Sequence, residues 1–349
     1  MTDAANGIFV SSSRTDTDTN DIAAGLSNCI TKDGQQTVTA NIPMAGFVFT
    51  GLGAGAANGQ SIRYEQLLGY APLSLCEFRL TLTTGVPVTT ADVTAATTVY
   101  ASPYKGNRIA LYDGSANWTV FNSAEMSIAV PATTSTMYDL FCYNNSGTPT
   151  LEALAWTNDT TRATALVLQN GVYVKTGATT RRYLGSFRTT GVSGQTEDSL
   201  AKRYVWNYYN RVRRPMRVLE ATATWTYTTA TVRQANGAAA NQIDMVIGVS
   251  EDPVSAEVSV GLGNTSAGIL VTSGIGLDVT NAFYSLAQNA TWSTQSVAGV
   301  HMARSSVRTY PTVGRHFLAW LEYSTATGTT TWYANTNNTN GGITGELLG

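Results

Sequence analysis

The sequence predicts a mainly β protein: an extended N-terminal region with short helices, then two β-sandwich or jelly-roll-like domains. Thr approaches one residue in seven, and a β-branched side chain is stiff at χ1 and suits a pleated surface. From Leu75 onward apolar residues tend to recur at every second position, between turn signals roughly ten residues apart, the pattern of an all-β sandwich or barrel. No long amphipathic helix is visible. The boundaries fall at 1–75, 76–215 and 216–349.

Residues 1–20 are rich in Ser, Thr and Asp; they can bury little and read as an extended arm that orders against a partner. Asp21 caps one or two helical turns over residues 21–27. Lys32-Asp33-Gly34 signals a turn, Pro43 interrupts any central strand, and Ser61 to Leu68 reads as a short helix. The apolar groups of this stretch (Ile42, Met44, Phe47, Phe49, Leu52) are too sparse for a core of their own. They are expected to be buried by neighbouring copies in a homotrimer.

Strands then follow in order. Phe78, Leu80 and Leu82 alternate with Glu77, Arg79 and Thr81. Hairpins are expected around Asp113-Gly114, Asn144 to Gly147 and Asn170-Gly171, where Asn-Gly suits a type I′ turn. A break comes at Asn210 to Pro215. Beyond it, strands are expected in 216–229, 241–250, 256–264, 268–274, 315–325 and 329–336. The run at 242–250 is apolar enough to be central, and that at 317–322 is apolar on both faces. The tail is Gly- and Asn-rich and ends in an apolar stub (Ile343, Leu347, Leu348).

Composition narrows the chemistry. Charged residues are 13% and the net charge is −2, against about 25% charged in an ordinary soluble domain; a nucleic-acid partner would need a basic surface. No apolar run approaches the ~18 residues of a membrane span, so no membrane insertion is expected. The start lacks the pattern of a signal peptide. Two His (His301, His316) lie far from three Cys (Cys29, Cys76, Cys142), so zinc spacing is absent; the Cys read as small buried hydrophobes. No cofactor is implied.

Catalytic constellations are weak. Acids for glycan cleavage could come from Asp139, Glu152, Glu197, Asp198, Glu251 and Asp252, two of which would have to flank the bond; all read as loop acids. His301 could partner Ser305 or Ser306, without a nucleophile motif. Gly51-x-Gly53 has no βαβ context. The chain is therefore read as not an enzyme. The most distinctive segment is Ala201 to Arg217, with Tyr204, Trp206, Tyr208, Tyr209, Arg211, Arg213 and Arg214. Such residues could form an interface or stack on glycans. The favoured reading is a junction strand, its aromatics packed between two β domains and its Arg paired with acids. Trp225, Tyr227, Trp292, Trp320, Trp332 and Tyr333 could form a carbohydrate face or, for most of them, core.

The segment Asn41 to Leu67 (NIPMAGFVFTGLGAGAANGQSIRYEQL) resembles a stretch common in tail-fibre and other appendage proteins of tailed, especially short-tailed (podovirus-like), bacteriophages. The match lies at Ile42-Pro43-Met44, Gly46-Phe47, Thr50-Gly51-Leu52, Ala57-Asn58-Gly59 and Arg63 to Leu67, with Val48 in place of a frequent Lys and Gln60 in place of a frequent Asp. The runs 97–114, 154–190 and 205–215 also resemble phage structural proteins. The resemblance implies a homotrimeric tail or neck fibre, assembled in the host cytoplasm into the virion. It would be held to neck, tail or capsid proteins through residues 1–40, and take part in host attachment, with a host surface glycan as a candidate partner. The alternative is a head fibre or capsid decoration (cement) protein; a glycan-binding module and a glycan depolymerase follow.

Overall fold

The computed structural model describes residues 12–27, 45, 50–57, 60–61, 73–293 and 299–349. The chain forms two compact units, Met1–Arg63 and Tyr64–Gly349. The turn expected at 32–34, Cys29, and nearly all of the helix expected at 61–68 lie outside the described residues.

In the first unit, Ser12–Ser27 is an α-helix of 16 residues. Residues 12–20 are thus helical, not the extended arm the composition suggested. Thr17 and Thr19 donate their hydroxyls to the Ser13 and Thr15 carbonyls four residues back, at 2.8 and 2.7 Å. Polar side chains that would compete with a helix are here satisfied within it. Ile22 and Leu26, one turn apart, are both exposed. Among residues 50–57 there is no regular structure; the Gln60 Oε1 accepts from the Ala56 and Ala57 amides at 2.5 and 3.1 Å.

The second unit is all β among its described residues, apart from a single 3-10 turn at Ala235–Gly237. Its first sandwich sets a three-stranded sheet (Phe78–Thr81, Thr98–Pro103, Met126–Ala129) against a six-stranded one. The larger sheet is built on Met137–Asn145, Thr148–Ala155 and Ala178–Arg188. Phe78, Leu80, Val99, Leu140, Leu184 and Phe187 fill the space between them. The second sandwich pairs an eight-stranded sheet with another of six strands. In the first, Gln242–Ile247 lies beside Gly314–Tyr323, and Leu270–Leu277 follows. In the second, Val254–Asn264 pairs with His301–Thr309 on one side and with Gly342–Leu348 and Thr330–Tyr333 on the other. Ile243, Val258, Val260, Trp320, Trp332 and Ile343 are in its core. Met137, Phe141, Tyr183 and Trp206 of the first sandwich belong to that same core.

The eight-stranded sheet carries strands from both sides of residue 215: Val93–Ala96, Thr196–Asp198 and Lys202–Arg203 extend it, the last pairing in parallel with Asp244 and Met245. Two glycines leave no room for a β-carbon: Gly248, where the sandwiches meet, and Gly185, inside the larger sheet of the first sandwich. One added at Gly248 would run into the Trp206 ring and Tyr183 hydroxyl, and one at Gly185 into the Trp206 carbonyl.

The hairpins follow the turn chemistry. Asn170-Gly171 and Ser146-Gly147 connect their strands as two-residue loops with φ of 52°, 83°, 50° and 95°, the left-handed pair a type I′ turn needs. The loop at Asp113-Gly114 is longer, running to Asn117. The Asp113 carboxylate accepts the amides of Ser115, Ala116 and Asn117 at 2.8, 3.0 and 3.1 Å, which holds it far below the usual carboxylate range.

Several strands were not expected from the sequence, among them Val93–Ala96, Met126–Ala129, Thr196–Asp198 and Ala290–Ser293, and two more bear on the C-terminal sheet. His301–Thr309 turns Ala303, Ser305, Val307 and Thr309 inward; two of the four are polar, so its alternation is muted. The Gly- and Asn-rich tail holds Gly342–Leu348, paired along its length with Arg213–Leu219.

Arg182 fastens the start of the body. Fully buried, it donates to the carbonyls of Leu73, Ser74 and Ala110 at 3.1, 2.8 and 2.6 Å and to the Tyr209 hydroxyl at 3.2 Å. Among the described residues no carboxylate pairs with it. Arg182→Met would strand these acceptors, at about 1–3 kcal/mol for each left unsatisfied. Denaturant unfolding is expected to show a loss of about 3 kcal/mol or more; a loss under about 1 kcal/mol would mean the carbonyls find other donors.

Candidate functional site

Within 18 residues, the segment after Leu200 serves three sheets: Lys202–Arg203 in the eight-stranded sheet, Val205–Asn207 beside Ala178–Arg188, and Arg213–Leu219 beside the C-terminal strand. Its aromatics divide by depth. Tyr204 and Trp206 are buried; the Tyr204 hydroxyl donates to Asp244 at 3.2 Å, and neither ring offers a free face. Tyr208 and Tyr209 are half-buried and meet edge-on at 4.8 Å. Arg211 lies 5.4 Å from the Trp206 ring and pairs with Glu251 at 2.9 Å and with Asp252. Arg214 is buried against Asp198 at 2.7 Å and the Thr89 carbonyl at 2.8 Å. Of the seven residues only Arg213 stands exposed, paired with Glu346 at 2.6 Å.

Each acid weighed for catalysis faces a cation. Arg162 grips Asp139 through Nε at 2.7 Å and reaches the Gly248 carbonyl at 2.6 Å, while Ser186 donates to Asp139 at 2.7 Å. Glu152 meets Lys175 and Arg181 at 2.6 and 3.1 Å. Glu197 pairs with Lys202, and Asp198 lies between Arg203 and Arg214. Arg211 takes Glu251 and Asp252. Burial pushes Asp139, Asp244 and Glu322 upward, more than their Arg partners pull them down.

Ser305 donates to the Ser273 carbonyl at 2.7 Å and Ser306 to Gln288 at 3.4 Å, while His301 stacks on Trp292 at 4.3 Å. His316 is buried between Asp278 and Thr312. Cys76 and Cys142 are buried and unbridged, and burial raises both thiols, Cys142 to about 12. Among the described residues no cluster of His, Cys, Asp and Glu could hold a metal, and no helix is long and apolar enough to cross a membrane.

Most of the C-terminal aromatics are core. Trp225 stacks on Trp332 at 6.4 Å and meets Trp320 edge-on at 5.7 Å, and its Nε1 donates to Glu322 at 2.7 Å. Tyr227 is buried under Arg233. Tyr333 is half-buried, and Trp292 keeps a partly open face.

The open site lies on the outer face of the six-stranded C-terminal sheet. Strand register sets three rows across it: Pro215–Glu346–Ser255–Arg308, Arg217–Thr344–Glu257–Ser306, and Leu219–Gly342–Ser259–Arg304. Gln288 continues the middle row through a bridge to Ser306. Two depressions cover this face. One, of about 530 Å³, is lined by Glu257, Gln288, Ser306 and Thr344. The other, of about 380 Å³, is lined by Arg213, Asp252 and Glu346. Both include Ser255 and Arg308, so they form a single groove. The sequence pointed to Arg213, Asp252 and, as a possible partner of His301, Ser306 in it. Recognising His301–Thr309 as a strand would have placed Arg304, Ser306 and Arg308 on one face.

No protein-family model and no curated protein matches the sequence. Among solved structures, the insecticidal delta-endotoxin Cry8Ea1 of Bacillus thuringiensis aligns at 8% identity over 78% of this chain and 52% of the toxin, with a TM-score of 0.23. The chain thus spans about half the toxin's length. A structure of infectious bursal disease virus, Gx strain, aligns at 10% identity over 74% of this chain and 65% of the other, with a TM-score of 0.26. Superpositions this loose define no shared fold, and no function passes from them to this chain.

The pairing of Glu152 sets a pH dependence. Burial pushes its carboxyl up, but Lys175 and Arg181 hold it below the ordinary glutamate value of 4.5. The unfolded chain therefore takes up this proton first as pH falls, so the stabilisation is present above 4.5 and lost through the lower folded value. Wild type is expected to exceed Glu152→Gln by up to about 1 kcal/mol at neutral pH. That margin should close in acid; a margin unchanged in urea titrations down to about pH 3 would refute the assignment.

Proposed function

We propose that the chain is a non-enzymatic structural protein of a bacteriophage virion. In this reading it is a homotrimeric tail or neck fibre, anchored through residues 1–40 and presenting its β body for host attachment. The carrying observation is the pairing of acids with cations. All six carboxylates weighed for catalysis are engaged by Lys or Arg, whereas glycan cleavage needs two carboxyls free to exchange protons across the bond. The groove on the C-terminal sheet is lined by Ser, Thr, Gln, Arg, Glu and Asp side chains together with apolar ones such as Leu286 and Leu348, a mixed surface suited to recognition. The resemblance of residues 41–67 to phage appendage proteins supplies the virion context. Trimerisation would supply avidity, since linked copies bind without a strong single contact.

Light scattering after size exclusion tests this. The full chain is expected to elute as a trimer, and a chain beginning at Tyr64 as a monomer, which would locate the trimer lock in the first unit. A full-length monomer would overturn the fibre reading. Gold-labelling of intact virions is expected to mark the neck or tail; label over the capsid would move the assignment to a head fibre or decoration protein. Release of oligosaccharides from host surface polysaccharide would refute the non-enzymatic reading.

A further inference from the structure

We propose that the outer face of the C-terminal sheet binds an acidic polysaccharide whose carboxylates are taken by Arg217 and Arg308. The inference rests on the attachment reading and names its ligand class. In a chain of net charge −2, the rows of this face carry Arg217, Arg304 and Arg308 against Glu257 and Glu346, and the end of the groove adds Arg213 and Asp252. Arg213 is paired with Glu346 at 2.6 Å, and Arg304 lies 3.9 Å from Glu257. Arg217 and Arg308 are exposed, and among the described residues neither has an ion-pair partner. A planar guanidinium with free donors is the side chain best matched to a carboxylate.

Their spacing selects a polymer. The two Arg sit on the outermost of four adjacent strands, one row apart. At about 4.8 Å between strands and about 3.4 Å per residue, their Cα atoms lie roughly 16 Å apart. One carboxylate cannot serve both, but a chain bearing acid groups at intervals can. Between them stand the Thr344 and Ser255 hydroxyls, beside Glu257 and Glu346, and the middle row runs on through Ser306 to the Gln288 amide; the hydroxyls and the amide both donate and accept, as sugar hydroxyls require.

The same face disfavours nucleic acid. Its three rows carry no aromatic ring for bases to stack on, while Glu257 and Glu346 each lie beside an Arg of their own. A polymer of uronic-acid type, carrying carboxylates and hydroxyls together, satisfies both the unpaired cations and the hydroxyl rows.

The test uses the full chain over surfaces coated with polygalacturonate, dextran or oligothymidylate. Binding is expected on polygalacturonate alone, weakening about fivefold or more between about 50 and about 300 mM salt. The double variant Arg217→Gln, Arg308→Gln should lose about tenfold or more, with the thermal midpoint unchanged because both side chains are exposed. Equal binding to dextran, tighter binding to oligothymidylate, or full retention by the variant would overturn the proposal. Binding to host cells without binding to polygalacturonate would sink this inference alone; binding to neither would remove the attachment reading with it.

Discussion

A charge taken out of water has to be met by another charge or by hydrogen bonds, and the joints within and between the two sandwiches are shaped by that requirement. Asp198 shows it where the two sheets of the second sandwich meet. It is buried, and both of its oxygens are occupied, by Arg203 at 3.0 Å and Arg214 at 2.7 Å. Those two Arg belong to different sheets, so the acid ties them at fixed separation. Asp139 with Arg162, which also reaches the Gly248 carbonyl, does this between the sandwiches, and Asp244 with Arg315 does it within the eight-stranded sheet. Removing one member of such a pair leaves its partner charged and dry, which costs about 3–5 kcal/mol. A strand that shifted its register here would leave a dry charge without its partner.

That constraint also shapes the surface. A chain with few charges that commits many of them to its interior has few left outside. An exposed row with unpaired Arg then stands out against a nearly neutral background. Because the row lies on paired strands and not on loops, its spacing is set by sheet register, and side chains on such a frame hold their positions better than on a flexible segment.

Much of this was legible in the sequence where local chemistry decides. Asn170-Gly171 declares its turn because a type I′ hairpin needs two left-handed residues. The apolar stretch at 242–247 declares a central strand because both of its faces are covered. Where alternation is weak, legibility failed. Ala303 and Ser305 face inward without announcing it, and Gly342 and Gly345 sit in a strand because a larger residue would strike Leu219 and Ile243. The helix at Ser12–Ser27 was expected only over 21–27; its first part was missed because its Thr side chains are satisfied by carbonyls of the helix itself. The aromatic–arginine segment was recognised as unusual, but not how its residues divide by depth.

The sequence by itself determined the β class, most of the strands and the hairpin turns, since each depends on residues within a few positions of one another. It also marked 201–217 as a junction, because so many aromatics and Arg together need partners. Only the tertiary structure decided which partners those are. Tyr204 and Asp244, Arg213 and Glu346, Arg214 and Thr89 lie far apart along the chain, and pairing across such distances follows from strand register and from desolvation at the closed interface, neither of which is written in any local stretch.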